Sequence, residues 1–123
     1  MKIVFLDAAT MGDVSFEPFE QLGEFVSYAT STPMEARERV KDADVVMINK
    51  VIVNKELIDA APSLKLICVA ATGVNNIDVD YAASKGIPVR NVAGYSTDSV
   101  AQSTFMHILS LAGGAPYFDN SVK

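Results

Sequence analysis

The sequence has no tryptophan, one cysteine and one histidine, and its 10 lysines and arginines are outnumbered by 15 aspartates and glutamates. Each shortage removes a class of function. A lone cysteine, Cys68, forbids an intrachain disulfide framework, and the cytoplasm is the simplest compartment for such a chain. A net charge of -5 with no basic stripe argues against nucleic acid or an anionic membrane as partner. No stretch approaches the roughly 20 apolar residues of a membrane-spanning helix. The opening MKIVFLD lacks the apolar length and the cleavage site of a secretory signal. No CxxC, HExxH or histidine–carboxylate cluster has metal-ligand spacing, so no metal is expected. A GxSxG elbow, a GxxxxGK[ST] phosphate loop and a GxGxxG dinucleotide fingerprint are all missing. Gly12, Gly73, Gly86, Gly94, Gly113 and Gly114 have neither the spacing nor the strand–turn–helix setting of the last.

What is present is a chain of 123 residues, half of them apolar and one fifth charged. That length makes one α/β domain able to bury roughly two-thirds of its unfolded surface. Residues 3–6 are a continuous apolar run, as in a parallel strand covered on both faces. A turn-rich and then weakly helical stretch leads to an alternating strand over residues 24–28. Thr32, Pro33 and Glu35 supply a capping hydroxyl, a first-turn proline and a capping-box acid for the next helix. Residues 44–49 form a third strand. Asn54 starts a short helix that Pro62 helps to stop. A fourth strand over residues 64–70 precedes the turn TGVNN and a helix ended by Gly86. A fifth follows over residues 87–90, with Pro88 tolerable at its start or at an edge. Right-handed crossovers on this alternation give a flavodoxin-like open parallel sheet, preferred order 2-1-3-4-5, with helices on both faces. A long helix over residues 99–111 then places Ala101, Phe105, Ile108, Leu109 and Ala112 on one face. The tail APYFDNSVK reads as no regular element, and its aromatics lack an obvious partner.

The chemistry-bearing residues are few. His107 sits deep in the last helix, where packing or a place on the helix surface outweighs general-base work. Cys68 lies mid-strand, where burial raises the thiol pKa and silences it as a nucleophile. Ser96, Thr97, Asp98 and Ser99 read as a helix N-cap with an acidic first turn. The turn of residues 71–76, Ala-Thr-Gly-Val-Asn-Asn, follows a buried strand at the carboxyl rim where open α/β sheets bind ligands. Its successive amides suit a carboxylate or phosphate, and Gly73 permits close backbone approach. An ordinary βα turn is an equal reading from chemistry alone. Lys50 ends the neighbouring strand and offers either positive charge to an anion or a solvated side chain. Asp7, on the same rim, reads as a turn residue. An aspartate phosphoacceptor after the third strand would suggest a receiver domain, but Asn49 and Lys50 stand there. A non-enzymatic, flavodoxin-like anion-binding or interaction module is the alternative to an enzyme lobe.

Residues 57–111, LIDAAPSLKLICVAATGVNNIDVDYAASKGIPVRNVAGYSTDSVAQSTFMHILSL, resemble the D-isomer-specific 2-hydroxyacid dehydrogenases, in particular their glycerate dehydrogenase or hydroxypyruvate reductase branch. The resemblance implies a substrate-binding lobe over residues 1–95. Residues 96–123 would be an interdomain helix and the start of a link to an NAD(P)-binding domain. It also implies hydride transfer between NAD or NADP and a small 2-keto or 2-hydroxy acid, in a protein that is a homodimer when full length. Thr72, Gly73 and Val74 would receive the substrate carboxylate with Lys50 nearby, and Ser96, Thr97 and Val100 would lie near the cofactor. The family's catalytic arginine, glutamate and histidine are expected after residue 123, so this chain alone is expected to be inactive and to bind no cofactor. Gln102 departs from the glutamate common in the family, although glutamine is familiar in the glycerate dehydrogenase-like branch, and Ser103 departs from a frequent histidine that is not the catalytic one.

Overall fold

The structure, a computed structural model, describes residues 1–121. The chain divides into two compact units, residues 1–93 and a second beginning at residue 94. The last two residues of the link expected over 96–123 lie outside the described residues.

In the first unit five strands, β1 (Lys2–Phe5), β2 (Glu24–Ser27), β3 (Val45–Ile48), β4 (Leu66–Val69) and β5 (Val89–Arg90), form one sheet in the order β2-β1-β3-β4-β5. Every pairing is parallel, with Ile3 opposite Phe25 and Val45, and Met47 opposite Cys68. The order expected from the alternation is therefore the one observed. Apolar runs without alternation suit this sheet because both faces receive side chains. Val4, Leu6, Val46, Ile48, Ile67 and Val69 enter one core cluster, while Ile3, Phe5, Val45 and Met47 enter another.

The helices begin where the sequence places caps. Helix α2 (Pro33–Arg39) opens on a complete capping box: the Glu35 amide donates to Thr32 Oγ1, and Glu35 Oε2 accepts from the Thr32 amide. Helix α3 (Lys55–Asp59) is capped by Asn54, whose Oδ1 accepts from the Leu57 amide. Helix α4 (Val79–Ser84) is capped at its start by Asp78. It ends in a Schellman motif: Gly86 takes φ 73°, its amide donates to the Ala83 carbonyl, and the Ile87 amide donates to the Ala82 carbonyl. Between β1 and β2 the chain makes a 3₁₀ turn (Ala8–Met11) and one short helix, α1 (Glu17–Glu20). Pro88 stands just before β5, an edge strand, and costs no ladder bond there.

The second unit consists of α5 (Thr97–Ala112) and α6 (Ala115–Ser121). Along α5 no residue is buried, and Phe105, Ile108 and Leu109 are exposed. Two expectations are corrected here. Residues 115–121 of the tail are a helix: Gly114 breaks α5 in the left-handed region at φ 65°, and Pro116 then falls in a first turn, where a missing N–H costs nothing. Ser96 does stand at the N-cap of α5, but its side chain makes no capping bond.

Candidate functional site

The carboxyl ends of β3 and β4 lead into two loops that wall a bay of about 440 Å³, lined by Asn49, Lys50, Ile52, Ala71, Gly73, Asn75 and Asn76. That volume lies within the roughly 300–1,000 Å³ of small-molecule sites. Its position obeys the rule that open parallel sheets bind ligands beyond their strand ends.

The wall after β4 offers donors. The amides of residues 72–76 make no hydrogen bond among the described residues, and Thr72, Gly73 and Asn75 are exposed. A run of free amides without a helix or strand to absorb it is what an anion uses. Gly73 has no positive φ, and a Cβ added there would meet the Asn75 side chain in ordinary contact, Oδ1 nearest at 3.4 Å. Backbone strain therefore does not require glycine at this position. What its hydrogen leaves is space in the bay.

The wall after β3 offers charge. Lys50 is exposed, and its ammonium has no carboxylate or hydrogen-bond partner among the described residues. Its backbone, by contrast, is held firmly. Asp7, at the end of β1 and 4% exposed, accepts from three successive amides: Asn49 on Oδ1 at 2.8 Å, Lys50 on Oδ2 at 2.5 Å and Val51 on Oδ2 at 3.0 Å. Asp7 is thus no mere turn residue, because a buried carboxyl needs this many donors to offset its lost hydration.

The two walls are tied to each other. Asn76 Nδ2 donates to the carbonyls of Val51 at 2.8 Å and Asn49 at 3.3 Å. The Val53 amide donates to the Asn76 carbonyl, the Asp78 amide donates to the Val53 carbonyl, and Val53 and Ile77 form a parallel bridge.

Of the residues singled out in the sequence, Lys50 and Gly73 line the bay. Thr72 turns its hydroxyl to the Val92 carbonyl at 3.1 Å, and its own carbonyl accepts from Asn91 Nδ2 at 2.6 Å. Val74 packs partly against the core. Any role for these two residues in holding a ligand falls to their main-chain amides. Ser96, Thr97 and Val100 belong to the second unit, at the start of α5, where the Val100 amide donates to the Ser96 carbonyl. No local pattern marks Asp7 or Asn76 as the fasteners of this rim, since their partners lie 25 to 44 residues away.

The remaining candidates stand apart from the bay. His107 is exposed on α5. Cys68 is half-buried rather than a core residue, because the sheet face on which it lies is only partly covered. Burial still pushes its thiol pKa up, more than Arg90 lowers it. It borders an apolar groove of about 500 Å³ with Ile3, Phe5, Met47 and Leu66, a setting unsuited to a small acid. Among the described residues no group of histidine, cysteine and carboxylates could hold a metal ion, and no helix is long and apolar enough to cross a membrane.

Comparison with known proteins agrees with this architecture. Residues 3–113 match the model for the D-isomer specific 2-hydroxyacid dehydrogenase, catalytic domain. A putative 2-hydroxyacid dehydrogenase of Haemophilus influenzae is 41% identical over 90% of this chain and 36% of its own length. A hydroxypyruvate reductase of Blautia hydrogenotrophica is 37% identical over the same shares, 90% and 36%. Among solved structures, a D-lactate dehydrogenase of Aquifex aeolicus, complexed with NAD and lactic acid, superimposes with a TM-score of 0.78 at 30% identity. It covers 98% of this chain and 37% of its own. The chain therefore spans little more than a third of the relatives it matches. By its sequence over residues 3–113 and by its parallel sheet, the chain belongs to the D-isomer-specific 2-hydroxyacid dehydrogenase family.

Proposed function

We propose that this chain is the substrate-side lobe of an NAD(P)-dependent oxidoreductase that interconverts a small 2-keto acid and its 2-hydroxy acid, hydroxypyruvate and glycerate being the first candidates. The observation that carries the reading is that Gly73, Asn75 and Asn76, whose amides have no partner among the described residues, line one bay with Lys50, whose ammonium likewise has none there. Main-chain donors at Thr72, Gly73 and Val74 would hold the substrate carboxylate, and Lys50 would add attraction at longer range. Holding one end of the substrate fixes where its carbonyl carbon stands, which is how a positioning lobe contributes to rate. The relative from Blautia hydrogenotrophica, named for hydroxypyruvate, supports the choice of acid.

On this reading the nucleotide is not held by residues 1–93. The turn after β1 carries Asp7, whose carboxyl is committed to the amides of residues 49–51, and the helix that follows is only Glu17–Glu20. No step of hydride transfer is therefore assigned to residues of this chain. Ser96, Thr97 and Val100 would lie near the cofactor, with the nucleotide held elsewhere in the full-length protein. That protein would be a cytoplasmic homodimer.

Titration of the ¹⁵N-labelled chain with oxalate, a planar mimic of a 2-keto acid, tests the reading. Amide shifts should concentrate at residues 72–76 and Lys50; shifts confined to other residues, or none, overturn it. The isolated chain should also show no hydroxypyruvate-dependent oxidation of NADH above background. Turnover there would mean that the active-site chemistry had been misplaced.

A further inference from the structure

We infer that Asp7 and Asn76 are positioning residues that give the bay its polarity, directing an anion to the amides after β4 and leaving Lys50 as the sole attraction from the wall after β3. The inference rests on the bay being an anion site, as proposed above, and deepens that reading.

Leaving β3, residues 49–51 expose three successive amides at the same sheet rim as residues 72–76. Left free, they would form a second set of anion donors competing with the first. Asp7 removes all three, at 2.8, 2.5 and 3.0 Å. The opposite polarity of that segment, the carbonyls of Asn49 and Val51, is taken by Asn76 Nδ2. Those carbonyls would otherwise present negative ends to the bay that Asn49 and Lys50 line. Between Asp7 and Asn76, the backbone around Lys50 is fixed from both sides, and only its side chain remains adjustable.

The two fasteners differ in kind. Asp7 is buried and reaches across from β1, so it registers the loop against the centre of the sheet. Asn76 stands on the opposite wall, and its main-chain carbonyl accepts from Val53 while its side chain grips residues 49 and 51. It therefore sets the separation of the two walls.

Replacing Asp7 by asparagine keeps the shape but turns one acceptor into a donor facing other donors. In the Asp7→Asn chain the amides of Asn49, Lys50 and Val51 should exchange with solvent at least about tenfold faster relative to the rest of the sheet. Oxalate should bind the amides of residues 72–76 about tenfold more weakly as the rim is displaced, and its amide shifts should spread to Asn49 and Val51, whose freed amides now compete for it. Asn76→Ala leaves no buried donor facing another donor, so it stays informative even if the Asp7 variant does not fold. It should weaken oxalate by a smaller factor, about threefold to tenfold. Val40→Ala, in the core away from the bay, is the control: it should lower stability and leave oxalate affinity unchanged within about twofold.

Exchange at residues 49–51 and oxalate affinity both unchanged in the Asp7 and Asn76 variants would overturn the inference. Equal weakening by Val40→Ala would overturn it too, by reducing both residues to general stability. Failure of the unsubstituted chain to bind oxalate is a different result. It removes the proposed substrate role together with the anion-directing part of this inference, while the exchange measurement still decides whether the loop is fastened as described.

Discussion

The two faces of the sheet are made by alternate residues of the same strands, yet they differ in cover. On one face Val4, Leu6, Val46, Ile48, Ile67 and Val69 meet Ala36, Val40, Leu57, Ile58 and Ala82 from α2, α3, α4 and the residue that ends α2. On the other, Ile3, Phe5, Val45 and Met47 meet little more than Ala8, Met11, Phe16 and Phe19, and an apolar groove of about 500 Å³ runs beside them. The aromatic side chains there compensate in part: Phe16 packs at 5.5 Å on both Phe5 and Phe25, and Phe19 stacks on Phe25 at 5.7 Å. The difference teaches that an apolar strand pattern records the need for burial and says nothing of where the covering element comes from.

This contrast is open to measurement. Ile67→Ala, on the covered face, should cost about 3–4 kcal/mol in urea unfolding, because the helices above it cannot collapse into the gap. Met47→Ala, on the open face, should cost less, about 1–2 kcal/mol, since part of its surroundings is already vacant. Equal costs, or the reverse order, would break the comparison. Thr32→Ala removes the hydroxyl that opens α2, one of the covering helices, and should cost about 1 kcal/mol. The smallest effect sharpens the same point through pH. Hydrogen bonds from the Thr32 backbone and hydroxyl, aided by Arg39, hold the Glu35 pKa below its ordinary value of 4.5. A depressed folded pKa means that the acid's contribution is complete above 4.5 and disappears as pH falls through the folded value. The stability gap between Glu35→Gln and the unsubstituted chain should therefore narrow below pH 4.5 and stay level above it. A gap independent of pH would mean that the capping box adds nothing through charge.

The parts of the fold that local chemistry dictates were readable in the sequence. Thr32, Asn54 and Gly86 mark helix ends because their side chains or backbone freedom act within a few residues, and all three do so. The strand order was a preference that the alternation allowed without dictating it, and the sheet has that order. The tail after Gly114 was harder, since two glycines mask a helix start that Pro116 permits. In the site, Lys50 and Gly73 could be placed because strand ends in a parallel sheet share one rim. The rest depends on partners distant in the chain. Nothing near Asp7 announces that its carboxyl will be enclosed by residues 49–51, and nothing beside Thr72 predicts that Val92 will claim its hydroxyl.

The bridge between Val53 and Ile77 bears on the breadth of the bay. It continues the pairing of β3 and β4 past the ends of those strands, so the two rims leave the sheet still stitched together. Adjacent strands stand about 4.8 Å apart, and the cleft inherits its breadth from that spacing rather than from its own side chains. A bulkier acid cannot spread the rims without unzipping the sheet beneath them. If the bay holds a small acid as proposed, room for a longer one lies outward, away from the strands, and length rather than girth is the dimension this scaffold leaves free.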